Sequence, residues 1–347
     1  MAPDPPGFFP PARSIPPLSL PHRQTFILLH GRGLSWDTFG QDFISTPFPY
    51  PPTSPSDTPT PSPSISQPTD PSPSPSPSPS LTTLRTLHPH AKFLLPLAPR
   101  HRATIYARSI IHQWFDSWHL NPPPSSTTST TTTTTSINTT TEEWRCAPGL
   151  HDTVQHLHDL IRTEAAAVGG PHNVVLGGLS QGCAAGLVAL LLWEGPALGG
   201  FWGMCGWLVF EAGVRGVLGE GEGEDGGGDG GFDPFERDEK DEGEGEEVSV
   251  EGKVVRVLRE MLELEGKPPV GRPPSFDTPV FLGHGIEDDK VPVDRGRAAA
   301  ECLAAVDMDT EWKAYEGLGH WYSAAMLADM ASFLAVRTHW GHGNEES

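Results

Sequence analysis

The chain has 347 residues, 38 of them Pro and 38 Gly, four cysteines, and a formal net charge of −21. So acidic a chain is a poor partner for nucleic acid or for an anionic membrane surface. Cys146, Cys183, Cys205 and Cys302 are far apart and make no metal-ligand or disulfide-framework spacing, which fits reduced thiols in a chain long enough for one large α/β domain or two small ones.

Met1 to Pro6 carry no charged-then-apolar leader pattern, and no apolar run reaches the roughly 18 residues of a spanning helix. A cytoplasmic protein without a stable membrane anchor is expected. Thr25–Leu29 reads as a buried strand ending at His30-Gly31. Residues 47–80 are a Pro/Ser tract, and Ala91–Leu95 a second strand. Residues 122–141 are a Pro/Ser/Thr tract whose sequon at Asn138 reads as chance. Apolar residues at Val154, Leu157, Leu160 and Ile161 predict a helix from Val154 to Ala167. A strand over Asn173–Leu176 and a helix over Cys183–Trp193 follow, then a short strand over Gly200–Cys205. Residues 219–251 hold 15 acidic and two basic residues, so −13 of the charge sits there and −8 is left for the rest. Beyond lie a strand over Thr278–Gly283 and helices over Arg295–Val306 and Tyr322–Val336. The three tracts cannot bury enough apolar surface to offset the entropy of ordering, and are expected as disordered insertions at 47–80, 122–141 and 219–251. The remaining strands and helices alternate. That predicts a single α/β domain over 1–347, its core at about 24–335, with a mostly parallel central sheet and helices on both faces.

Gly178-Leu179-Ser180-Gln181-Gly182 lies between a strand and a helix, the setting a nucleophile elbow requires. The turn there is sharp, and glycines two residues either side leave room for it, which makes Ser180 the candidate nucleophile. A serine hydroxyl needs a base, usually a histidine oriented by a carboxylate. Where the serine sits on a nucleophile elbow of this kind, the chain order is Ser, acid, His. His320 meets that order on a Gly-rich turn, Gly317-Leu318-Gly319, entering a helix. The acid lies in Glu287-Asp288-Asp289, after the strand over Thr278–Gly283, and the pattern alone does not choose among the three. The N–H groups of Gln181, after the nucleophile, and of Arg32, in His30-Gly31-Arg32-Gly33 after the first strand, are candidates for an oxyanion hole. Trp114, Phe115 and Trp207 are candidates for an apolar acyl groove, with plain core packing as the alternative.

In these motifs the chain resembles the acyl-protein thioesterase / phospholipase–carboxylesterase family of α/β-hydrolases. The resemblance rests on His30-Gly31-Arg32-Gly33, Pro96-Leu97-Ala98-Pro99-Arg100, Trp114-Phe115-Asp116, the elbow, His284-Gly285 with Asp288, Val291 and Pro292, and Tyr315, Gly317, Gly319 and His320. It implies the α/β-hydrolase fold, Asp288 as the acid with Asp289 as runner-up, and hydrolysis of acyl thioesters or carboxylesters without metal or organic cofactor. The partners it implies are an acyl-protein, such as palmitoyl-cysteine, or a lipid or small ester. Three departures stand out: Arg32 replaces an apolar residue, Cys205 a serine and Val209 a proline. The alternatives are a general carboxylesterase or lysophospholipase, and a non-catalytic scaffold on the same fold.

Overall fold

A computed structural model describes residues 8–50, 80–117, 120, 146–219, 248–338 and 340. Most of the three expected insertions, namely 51–79, 122–141 and 220–247, lies outside these residues.

The strands, in chain order, are β1 (Arg13–Ile15), β2 (Gln24–Leu29), β3 (Phe48–Tyr50), β4 (Ser80–Thr82), β5 (Ala91–Leu95), β6 (Arg100–Ala103), β7 (Ser109–His112), β8 (Val174–Leu179), β9 (Gly200–Met204), β10 (Val280–Gly285) and β11 (Thr310–Tyr315). The helices are α1 (Gln41–Ser45), α2 (Leu84–Leu87), α3 (Ala147–Val168), α4 (Gln181–Leu191), α5 (Glu211–Val217), α6 (Val250–Met261), α7 (Val293–Ala305) and α8 (Ala324–Arg337). Seven strands form one sheet in the order β1-β5-β2-β8-β9-β10-β11. Only β1 runs antiparallel to its neighbour; the other five pairings are parallel. β3 with β4, and β6 with β7, form two small antiparallel pairs outside it.

A parallel sheet is covered on both faces, so its strands read as apolar runs whose alternate residues serve different cores. Ile27, Leu29, Val174, Leu176, Phe201, Val280 and Leu282 pack with residues of α3, α4, α6 and α7. Phe26, Leu28, Val175, Leu179, Trp202, Met204 and Phe281 pack on the opposite face with α1 and α8. Helix α4 is buried along its whole length, which is why its sequence carries no polar stripe.

The helix ends explain where the expected boundaries shift. Helix α3 starts seven residues earlier than the apolar period predicts, with a proline in its first turn, and stops at Gly169 with φ of +82°. Helices α6 and α8 are capped by Ser249, whose Oγ accepts from Gly252 N, and by Ser323, which accepts from Met326 N. At the margins of the tracts, Phe48–Tyr50 pairs with Ser80–Thr82, and α6 takes up Val250 and Glu251.

The parallel strands end level with one another: Leu29 pairs with Gly178, and Gly285 with Tyr315. Loops leaving β2, β8, β10 and β11 therefore emerge on one edge of the sheet, where ligands of such sheets bind.

Candidate active site

Strand β8 delivers Ser180 into a turn with φ of +56° and ψ of −120°, a conformation that costs a non-glycine residue on the order of 1–3 kcal/mol. The surrounding backbone enforces it. Ser180 N donates to Met204 O at 2.8 Å, and Ala184 N donates back to Ser180 O at 3.1 Å. The flanking glycines are required by close approach. A Cβ on Gly178 would run into the carbonyl of Gly182, and one on Gly182 would stand 2.5 Å from Leu29 O. Ser180 is 8% exposed.

The loops after β10 and β11 bring two side chains to this serine. His320 Nε2 lies 2.9 Å from Ser180 Oγ, and His320 Nδ1 lies 2.7 Å from Asp288 Oδ2. An ionised carboxylate only accepts, so Nδ1 carries the proton and donates, leaving Nε2 to accept from the serine hydroxyl. The other Asp288 oxygen accepts from Lys290 N and Val291 N, each at 2.9 Å. His284 Nε2 lies 3.1 Å from Asp288 Oδ2 and 2.9 Å from Val291 O. Burial alone would raise the Asp288 pKa. The hydrogen bonds from His284, His320 and Val291 N–H outweigh it and hold the carboxyl well below the usual range. Asp289, the runner-up, is exposed and lines the adjoining cavity, not the histidine.

On the other side of Ser180 runs the turn after β2. A Cβ on Gly31 would lie 3.5 Å from Ser180 Cβ, so the His30–Gly33 turn passes alongside the serine. Its shape is held by His30, 1% exposed, whose Nδ1 donates to Gly31 O at 2.8 Å and whose Nε2 accepts from Ala98 N at 3.1 Å. Burial pushes the His30 pKa down to about 4, against the pull of that Gly31 hydrogen bond. Gln181, at the start of α4, contributes one of the backbone N–H groups a first helical turn leaves without intrahelical partners. Its side-chain Oε1 accepts from Trp114 N at 3.0 Å and its Nε2 donates to Phe115 O at 2.7 Å.

Trp114, Phe115 and Trp207 sit in the core and not in a groove. They are 0%, 1% and 6% exposed and none lines the cavity at Ser180. Trp114 instead donates from its indole to His30 O at 2.8 Å, and Phe115 meets Trp207 edge-on with centroids 6.2 Å apart. The cavity beside Ser180 and His320 has a volume of about 350 Å³. Its apolar walls are Leu34, Ile105, Tyr106, Leu120 and Trp321, and Arg32, Asp289 and Lys290 supply charge. Residues Ile105 and Tyr106 come from the β6–β7 hairpin, which its polar, Arg-rich sequence did not reveal.

Cys205 stands where the family resemblance calls for serine, and it acts as a hydrogen-bond donor. Its Sγ donates to Trp321 O at 3.3 Å, next to His320. Burial pushes its pKa up to about 12, so it stays a neutral thiol. Cys205, His284 and Asp288 are the one group of potential metal-ligating side chains among the described residues, their ligand atoms within 4.8 Å of one another. That closeness follows from the support of Asp288, whose oxygens are already taken up by N–H groups. His284 was legible only as part of a His-Gly pair ending a strand, the same pair that His30-Gly31 makes after β2.

A sequence profile of the phospholipase/carboxylesterase family matches residues 80–217 and 272–338, more than half of the chain. Acyl-protein thioesterase 1 of Gibberella zeae is 27% identical over 186 residues, 54% of this chain and 57% of that protein. Carboxylesterase SOBER1 of Arabidopsis thaliana is 25% identical over 186 residues, 54% of this chain and 58% of that protein. The chain thus spans about half the length of the curated relatives it matches. Among solved structures, Arabidopsis thaliana SOBER1 superposes with a TM-score of 0.51 at 21% identity, covering 91% of this chain and 99% of that one. Zea mays acyl-protein thioesterase 2 superposes with a TM-score of 0.52 at 16% identity, covering 94% and 98%. These two likenesses show the fold.

Proposed function

The chain belongs to the phospholipase/carboxylesterase family of α/β-hydrolases, and on that premise we propose that it cleaves acyl thioesters or carboxylesters through an acyl-enzyme on Ser180. His320 takes the proton of Ser180 Oγ as the oxygen attacks the acyl carbonyl, then gives it to the departing thiol or alcohol. Water repeats the cycle and releases the acid. Asp288 holds His320 in the tautomer that leaves Nε2 free to accept. The N–H groups of Arg32 and Gln181 receive the negative charge that develops on the carbonyl oxygen, a contribution worth about 3–4 kcal/mol per donor in sites of this kind. The closeness of the Arg32 turn and the helical start at Gln181 to Ser180 supports that assignment.

The observation that carries the proposal is the hydrogen-bonded chain from Ser180 Oγ through His320 to Asp288, at 2.9 and 2.7 Å, on a serine held at positive φ. The substrate is proposed to be an acylated protein of the palmitoyl-cysteine kind, since several relatives carry the name acyl-protein thioesterase, with lipid or small esters as the second class. No helix among the described residues is long and apolar enough to cross a membrane.

Hydrolysis of a matched palmitoyl thioester and palmitoyl oxyester, with Ser180→Ala as control, is the test. Turnover of the thioester that Ser180→Ala abolishes is the expected result. Turnover of short oxyesters alone moves the protein to the carboxylesterases. Equal rates for wild type and Ser180→Ala sink the nucleophile assignment.

A further inference from the structure

Arg32 is the one basic residue in the turn that passes Ser180, at a position where the family resemblance calls for an apolar side chain. Its guanidinium is poorly served by its surroundings. Nη1 is buried and has no hydrogen-bond partner among the described residues. Cζ lies 6.0 Å from the centre of the Tyr106 ring, at the limit of a cation–π contact. The nearby carboxylate, Asp116, is committed elsewhere: it accepts from Thr104 N at 2.9 Å, Thr104 Oγ1 at 2.5 Å and Ser117 N at 3.1 Å. Burial lowers the Arg32 pKa, with Tyr106 and Asp116 opposing, yet a guanidinium stays charged in proteins. A buried guanidinium nitrogen without an acceptor is costly, and this one belongs to a residue that lines the cavity holding Ser180 and His320. Lys290 lines the same cavity, so together with Asp289 the charged lining is net positive.

We propose that Arg32 is a specificity residue that receives a carboxylate of the substrate, so that this hydrolase prefers esters or thioesters carrying an anionic group near the scissile carbonyl. The inference rests on the serine-hydrolase reading of the same site and narrows its substrate class. Arginine suits the task because its planar fork pairs a carboxylate through two parallel hydrogen bonds. The carboxylate can sit on the acyl chain, as in a dicarboxylic half-ester, or on the leaving group. The chemistry at Arg32 is the same in both.

The experiment measures kcat/KM for paired aryl esters. In one arm the succinyl, glutaryl and adipyl half-esters of a neutral phenol are set against butanoyl, pentanoyl and hexanoyl esters of the same phenol. In the other, a carboxylated phenol and a neutral phenol carry the same butanoyl group. Wild type, Arg32→Gln and Lys290→Gln are compared through the charged-to-neutral ratio, which cancels any effect of substitution on the chemical step common to both members. The expected result is a ratio favouring the anionic member in one arm, which Arg32→Gln lowers roughly 10- to 100-fold, the value of one or two charge-assisted hydrogen bonds. Lys290→Gln should change it less than about threefold, the scale of an exposed pair. Absence of any anionic preference in wild type, a preference that survives Arg32→Gln, or one lost in Lys290→Gln instead overturns the assignment. Calorimetric titration with glutarate reads the same site without turnover. Binding that Arg32→Gln abolishes upholds the subsite even if no ester is cleaved, a result that would sink the hydrolase reading alone. Turnover of the neutral esters with no glutarate binding and no ratio change sinks the subsite alone.

Discussion

Asp288→Asn is the substitution that asks most of the geometry. The carboxylate accepts four N–H groups: His320 Nδ1 and His284 Nε2 on one oxygen, Lys290 N and Val291 N on the other. An amide can replace only one of those oxygens. If its oxygen stays with the two backbone N–H groups, its NH2 faces His320, and the histidine can satisfy it only by moving its proton to Nε2. That nitrogen then donates toward Ser180 and can no longer take the serine proton. The equivalent change in a serine protease lowers kcat about 10⁴-fold, so a loss of roughly 10³- to 10⁴-fold, or about 4–5 kcal/mol of transition-state stabilisation, is expected here. Losing charge-assisted bonds at a site 7% exposed also costs about 1.5–3 kcal/mol of folding stability. The stability term has a pH signature. Because the folded carboxyl lies below its unfolded value of about 3.9, its contribution is full above that value and is lost as pH falls through the folded pKa. Steady-state kinetics on wild type, Asp288→Asn and Asp289→Asn, with urea unfolding at pH 7 and pH 3, measures both. Asp289→Asn should keep activity within about threefold, since its side chain is exposed on the cavity rim. An Asp288→Asn enzyme within tenfold of wild type, or an Asp289→Asn enzyme that is the more damaged of the two, would refute the reasoning.

Two further outcomes follow from the same framework. His30 is held neutral at about 4, below its ordinary value of 6.5, so the unfolded chain takes up a proton first as pH falls. Stability should therefore drop by about 3 kcal/mol between pH 6.5 and pH 4 on account of this residue. His30→Gln, which keeps a donor and an acceptor, should flatten that part of a urea-unfolding pH series, and an unchanged slope counts against the assignment. At position 180, glycine normally makes a protein less stable than alanine by about 0.5–1 kcal/mol. Here both variants lose the hydroxyl, and only glycine is at ease at φ of +56°. Ser180→Gly should therefore unfold about 1–2 kcal/mol later than Ser180→Ala. The opposite order in calorimetry would mean that the elbow is not strained.

What could be read from the sequence is divided by how local its cause is. The elbow, the His30-Gly31 turn and the loops bearing Asp288 and His320 each announce themselves within a few residues. Glycine, strand end and reactive side chain must there coincide, and chain order supplies the rest. Elements whose identity depends on distant partners stayed hidden. Strand β11 reads Thr-Glu-Trp-Lys-Ala-Tyr because it is the sheet's edge and faces water on part of its surface, so no apolar run marks it. Strand β1 has three residues, two of them exposed, and exists by pairing with β5. The aromatic candidates failed for a related reason. A tryptophan before a strand-like turn serves a pocket or a core equally well by composition. What decides it for Trp114 is a hydrogen bond to His30 O, 84 residues away in sequence. That bond gives the residue a different use from the expected groove: it fixes the His30 carbonyl at the head of the turn that passes Ser180. The departures from the family pattern divide in the same way. Cys205 is absorbed, because its thiol donates to Trp321 O. Arg32 is only partly absorbed: its Cζ lies 6.0 Å from the Tyr106 ring, but its buried Nη1 has no hydrogen-bond partner among the described residues, and an unmet charge beside the proposed nucleophile is where substrate selectivity is to be sought.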